Sequence, residues 1–126
     1  MNTVASKVVI TGAFFLLIFL LGFLLSRLGK PYSLILFNLH KLIAVGAVVF
    51  LGVTIYNIQR AVGLAPLQVA AIVFAGLCFI VTIIAGGLLS IDRPMPAVLG
   101  VIHRFAPYLT LLSTAATLYL LLGRKN

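Results

Sequence analysis

Long apolar runs separated by short polar breaks make up most of the chain. Two breaks combine glycine with proline, at Gly29 to Pro31 and at Gly63 to Pro66, and a third with two prolines covers 92–96. Glycine favours the end of a helix, and proline cannot continue one. Each run reaches the roughly 20 residues that a helix needs to cross a bilayer core. The predicted helices cover residues 8–28, 33–59, 67–91 and 97–122.

Connections this short join antiparallel neighbours. The pattern therefore predicts an all-α fold, a four-helix up-and-down transmembrane bundle in one domain. The apolar run after Lys7 also resembles a signal peptide. We expect it to be retained as the first span, because it is longer than a usual signal-peptide core and Ser26 to Leu28 offers no small-x-small cleavage site.

The composition indicates a membrane protein. Hydrophobic residues make up 63% of the 126 residues and charged residues only 8%, against about 25% charged in soluble domains. With one acidic residue, Asp92, and one cysteine, Cys78, the chain has neither a carboxylate pair for catalysis nor a disulfide. The nine Lys and Arg residues stand singly between apolar runs, which is typical of membrane flanks rather than of a nucleic-acid surface. We expect a multi-pass protein of the cell (inner) membrane, in contact with the lipid bilayer.

The chain also resembles two tandem helical hairpins, 1–63 and 64–126. An offset of 63 residues aligns His40 with His103, and the basic-proline pair at 30–31 with the pair at 93–94. A basic-proline pair ten residues before a histidine therefore occurs twice. Duplication of a hairpin explains this pattern, and so does chance likeness in a biased composition.

The two histidines are the candidate metal ligands. His40 and His103 each lie about six residues into their predicted helices, which run the same way, so both should lie about 9 Å below the helix start. Two neutral imidazoles at one depth are what the iron of haem needs as axial ligands. Two other interpretations stay open. Each imidazole could be an anchor bonded to a backbone carbonyl, or one could ligate the magnesium of a chlorin.

Small and basic residues near the histidines are the candidate cofactor contacts. Glycines on the flanking helices leave room for a flat porphyrin, and a proline four residues after His103 removes the N–H that would bond its carbonyl. A basic residue directly follows each histidine; it would offer positive charge to the haem propionates or extend to the membrane surface. The predicted contacts are Lys41, Arg104, Gly22, Gly86, Gly100 and Pro107.

Hydroxyl side chains follow His103 on the same face of its helix. They belong to Thr110, Ser113, Thr114 and Thr117. Such hydroxyls usually bond to a carbonyl one turn earlier in their own helix, and we expect this here. Contact with a quinone or with a proton path is the alternative.

At His40-Lys41 and His103-Arg104 the sequence resembles small four-helix membrane-bound b-type cytochromes. The resemblance implies haem b held between histidines of different helices. It also implies the transfer of single electrons to or from a quinone or a partner redox protein. Many such cytochromes hold two haems with four histidines, whereas two histidines here predict one haem.

Two further functions fit parts of the pattern. A non-catalytic transmembrane accessory subunit of a larger respiratory or photosynthetic complex would also have short loops and glycine-bearing helix faces. A small four-helix multidrug transporter would match in length, but it needs a carboxylate within a span, and Asp92 lies in a predicted loop. We therefore expect an electron-transfer protein rather than a transporter or a stand-alone enzyme.

Overall fold

The structure is a computed structural model that describes residues 3–91 and 93–123. Within these ranges the chain forms four α-helices and no strand, which confirms the all-α prediction. The helices are α1 (Thr3–Leu28), α2 (Leu34–Val62), α3 (Pro66–Leu89) and α4 (Ala97–Leu122). The predicted loop residue Asp92 and the predicted basic end at Arg124 and Lys125 lie outside the described residues.

Glycine ends the first two helices, as the sequence predicts. Gly29 and Gly63 have φ of 70° and 71°, and each directly follows the last residue of α1 or α2. This left-handed conformation costs glycine little, and at Gly29 the N–H donates to the Leu25 carbonyl at 3.0 Å. Because Gly63 sets the end of α2, that helix runs three residues beyond the predicted limit of 59.

The remaining boundaries also follow from local chemistry. Pro66 is the first residue of α3, a position where its missing N–H costs no hydrogen bond. At the other end Ser90 N–H is shared between the Gly86 and Gly87 carbonyls, at 3.1 and 3.2 Å, and Ile91 N–H donates to the Leu88 carbonyl at 3.2 Å. The hydrogen bonds thus change to carbonyls three residues back, and α3 ends at Leu89 rather than at 91. Helix α1 begins five residues before the predicted start, and within it the Thr11 hydroxyl donates to the Lys7 carbonyl at 2.8 Å.

The chain divides into two compact units, one ending at Val62 and the other beginning at Gly63. In the first, α1 and α2 form an antiparallel hairpin. The Phe14 ring lies opposite Gly46, where an added Cβ would be 3.1 Å from it, and its centroid is 5.9 Å from that of Phe50. Further along α1, Gly22 faces His40, which lies earlier on α2. These contacts join the two helices between Phe14 and Gly22 of α1 and between His40 and Phe50 of α2.

The second hairpin is joined by polar contacts as well. Near the start of α3, the buried Gln68 donates from its amide nitrogen to the Leu120 carbonyl at 3.0 Å and accepts the Ala65 N–H at 2.8 Å. The Thr117 hydroxyl lies 3.2 Å from the Ala71 carbonyl. In an apolar medium such bonds hold helices together where hydrophobic burial contributes little.

Replacing Gln68 with alanine is expected to destabilise the chain by about 1–3 kcal/mol, because two hydrogen bonds are lost and the Ala65 N–H loses its acceptor. Gln59 is an exposed glutamine at the end of α2 and provides the matched control, with an expected change below about 0.5 kcal/mol. Denaturation in mixed micelles, followed by circular dichroism, measures both changes. Equal effects of the two substitutions would contradict the structural role of Gln68.

Large apolar side chains remain exposed on all four helices. Leu16 and Leu34 are 62% and 73% exposed, and Leu67 and Leu112 are 65% and 66% exposed. Among the described residues, the four helices are each long and apolar enough to span a bilayer. Contact with lipid removes the cost that so much apolar surface would carry in water. The chain is therefore a multi-pass integral membrane protein.

Candidate functional site

Both histidines lie at the same depth along their helices. His40 is six residues after the first residue of α2, and His103 is six residues after the first residue of α4. This confirms the predicted spacing. Both side chains are half-buried. Each packs against the neighbouring helix of its own hairpin, at a glycine.

Gly86 makes the space that the His103 ring occupies. A Cβ added at Gly86 would lie 2.6 Å from Cε1 of the ring and 3.2 and 3.3 Å from Nδ1 and Nε2. Real Cβ atoms do not approach another heavy atom within 3.0 Å. Any larger residue at position 86 would therefore displace the imidazole ring.

A hydrogen bond fixes the protonation of the His103 ring. Nδ1 lies 3.0 Å from the carbonyl oxygen of Thr82, one helical turn before Gly86. A carbonyl oxygen can only accept, so Nδ1 carries the proton in the neutral ring and Nε2 keeps its lone pair. This is the arrangement typical of metal-ligating histidines, whose other nitrogen donates to a carbonyl or a carboxylate.

His40 and Gly22 repeat this contact in the first hairpin. A Cβ added at Gly22 would lie 3.2 Å from Cε1 of His40 and 3.8 Å from Nδ1. The same edge of the imidazole thus faces the glycine in both hairpins. The spacing differs by one residue, because His40 follows Gly22 by 18 positions and His103 follows Gly86 by 17. The offset of 63 residues that aligns the two histidines aligns Gly22 with Ala85, not with Gly86.

Thr82 is a site residue that the sequence reasoning did not identify. Its hydroxyl donates to the Cys78 carbonyl at 2.7 Å and lies 3.0 Å from the Thr110 hydroxyl across the hairpin. The Thr110 hydroxyl in turn lies 2.9 Å from the Ala106 carbonyl. These contacts hold the α3 backbone against α4 next to His103. The signal available in the sequence was a threonine one turn before the glycine pair.

The hydroxyls of α4 bond mainly to their own helix, as predicted. Thr110, Ser113 and Thr117 each bond to a carbonyl three or four residues earlier, at 2.8 to 3.0 Å. Thr114 differs: its hydroxyl is buried and has no hydrogen-bond partner among the described residues.

The other predicted contacts lie in varied surroundings. Lys41 is exposed, with its ammonium 4.8 Å from the Phe37 ring centroid, and Arg104 is exposed on α4. Gly100 is exposed, and a Cβ there would meet no described atom within 4 Å. Pro107 lies inside α4 and supplies no N–H to the His103 carbonyl.

The donor set suits a cofactor that brings its own equatorial ligands. Within residues 3–91 and 93–123, His, Cys, Asp and Glu do not form a group of three or more that could hold a bare metal ion. A porphyrin supplies four nitrogens to its iron, so one or two imidazoles suffice. Nε2 of His103, which the contact with Thr82 leaves free, could serve as such a ligand.

An apolar groove of about 150 Å³ lies on the second hairpin near this site. Its lining residues are Leu77, Cys78, Val81, Ala106 and Leu109. Small-molecule pockets usually have about 300 Å³ or more. The groove is therefore too small to hold a porphyrin.

Comparison of the chain with known protein families, with curated proteins and with solved structures finds no match. The function proposed below therefore rests on the geometry of the histidines and their neighbours.

Proposed function

We propose that the chain is a b-type cytochrome of the cell (inner) membrane. It holds one haem b between His40 of α2 and His103 of α4 and passes single electrons to or from a quinone or a partner redox protein. The observation that carries this proposal is that each hairpin has an imidazole six residues into its second helix, packed against a glycine of its first helix. The carbonyl-bonded Nδ1 of His103, which leaves Nε2 for iron, supports it further.

Membrane topology supports shared ligation of one haem. If the four spans cross the bilayer in alternating directions, α2 and α4 would enter it from the same side, with each histidine about 9 Å from its helix start. Both imidazoles would then be available to hold one haem iron.

Each residue of the site has a distinct part in this proposal. The two histidines would hold the haem iron, and the Thr82 carbonyl would orient the His103 ring so that its Nε2 is the nitrogen left for the iron. Arg104 would provide positive charge toward the propionates, whereas the Lys41 ammonium lies on the Phe37 ring. When bound, haem supplies the one-electron redox chemistry, whose potential depends on its ligands and on nearby charge.

The visible spectrum of the full chain, purified from cells supplied with haem precursor, tests the proposal. We expect reduced-minus-oxidised bands of haem b at about one haem per chain, with the low-spin signature of two axial imidazoles. A chain that folds, as shown by its helical circular dichroism, but contains no haem would contradict it. Bands of a magnesium chlorin would contradict it equally.

A further inference from the structure

Aromatic rings and lysines form a continuous row at the loop end of the first hairpin. The Lys30 ammonium lies 5.9 Å from the Tyr32 ring centroid, and the Lys41 ammonium lies 4.8 Å from that of Phe37. The two rings are stacked, with centroids 6.0 Å apart and an interplanar angle of 6°. We call these four residues the basic–aromatic row.

The basic–aromatic row lies in a part of the first hairpin that carries only positive charges. No Asp or Glu occurs anywhere in residues 1–62, so no acidic side chain of the first hairpin can neutralise it. Arg27 adds a third cation at this end, in the last turn of α1, with its guanidinium 5.8 Å from the Phe23 ring centroid. Lys30, Lys41 and Arg27 are all exposed.

The row also lies at the depth of the lipid head groups. Lys30 is in the loop between two spans, and Lys41 is seven residues into α2, from where its long side chain reaches the interface. Tyrosine is enriched at this level of a membrane. Lipid phosphates there would meet ammonium groups that lie on a stacked pair of rings, and a lysine or arginine near an anionic surface contributes about fivefold to binding.

We propose that the basic–aromatic row binds the phosphates of anionic phospholipid head groups. The stacked rings hold the two ammonium groups, and each ammonium group binds a lipid phosphate. The lipids bound in this way are annular lipids of the first hairpin. This inference does not depend on haem binding.

Spin-labelled lipids test the proposal with the full chain in phosphatidylcholine vesicles. Electron paramagnetic resonance measures how much more strongly labelled phosphatidylglycerol associates with the protein than labelled phosphatidylcholine. We expect a clear preference that falls by about 5- to 25-fold in the double variant Lys30→Gln/Lys41→Gln. Phe37→Leu keeps both charges and removes one ring, and it should weaken the preference by about twofold to fivefold.

The matched control is Lys7→Gln/Arg60→Gln. It removes two cations at the opposite end of the same hairpin, where Arg60 lies 5.9 Å from the Tyr56 ring centroid as an isolated pair. The control should lower the preference clearly less than the Lys30→Gln/Lys41→Gln variant does, because its cations are not held on a stacked pair of rings. An equal fall in both double variants would show a general charge effect and would overturn the proposal, as would the absence of any preference in the unmodified chain.

Two further measurements distinguish binding of the lipid phosphate from binding of other anions. The preference should persist in millimolar inorganic phosphate, because a free anion lacks the membrane anchoring of the lipid. It should also be the same in chains with and without haem. Loss of the preference in phosphate would assign the row to free anions, and its loss on haem loading would assign Lys41 to the propionates; either result would overturn the proposal.

Discussion

The His103→Ala and His40→Ala variants are each expected to lose the low-spin spectrum of haem b. Loss of an outer-shell partner alone weakens metal binding by about 10- to 100-fold, and removal of the ligand itself should cost at least as much. We expect a larger loss for His103, because its ring is held by both Gly86 and the Thr82 carbonyl. The haem content per chain and the reduced-minus-oxidised spectrum measure both losses.

Three controls separate ligation from support of the fold. Asn38→Ala changes an exposed polar residue of α2 and should leave the spectrum intact. His103→Gln keeps an N–H that can donate to the Thr82 carbonyl but offers the iron no imidazole, so it should retain the fold and lose the haem. Added imidazole should restore the low-spin bands to His103→Ala. Normal haem content in both alanine variants, or loss of helicity that explains the haem loss, would contradict ligation.

The Gly86→Ala variant is expected to lose about 1–3 kcal/mol of stability, the usual cost of overpacking. A glycine-to-alanine substitution inside a helix normally raises stability by roughly 1 kcal/mol. A loss of stability at this position would therefore indicate the contact with His103. The new Cβ would lie 2.6 Å from Cε1 of His103, and the ring would have to move and break its bond to Thr82. Denaturation in mixed micelles measures the stability, and the spectrum reports whether the displaced ring still binds haem.

The adjacent glycine is the matched control for this substitution. A Cβ at Gly87 would meet no described atom within 4 Å, so Gly87→Ala should be neutral or stabilising. Gly22→Ala should fall between the two, because its Cβ would be 3.2 Å from Cε1 of His40 and a shift of a few tenths of an ångström relieves the contact. Destabilisation of equal size at Gly86 and Gly87 would show that the contact with His103 is unimportant.

The spans could be predicted because a bilayer allows few solutions. A backbone without water must satisfy its own hydrogen bonds, so a charge-free run of sufficient length has to be helical. Glycine with φ near 70° and proline at a first helical position then define where helices stop and start, as Gly29, Gly63 and Pro66 do. The errors are confined to helix ends, where α1 starts early and Ser90 ends α3 before 91.

The depth of the histidines was also predictable, since it depends only on the distance along each helix from the preceding break. His40 and His103 both lie six residues after the first residue of their helices. Gly22 and Gly86 were expected on the flanking helices, near the depth of the histidines. They were expected to leave room for a porphyrin. In each hairpin the structure shows the imidazole ring itself lying against the glycine.

The partners of the side chains were decided by the tertiary structure alone. A helix that is apolar on every side carries no periodic pattern to show which face packs on its neighbour, because lipid solvates any face as well as protein does. The contact of His103 with the Thr82 carbonyl, and that of Gln68 with Leu120, therefore left no trace in the hydropathy pattern. The sequence by itself determined four spans and the depth of two imidazoles. Packing decided which nitrogen of His103 carries the proton.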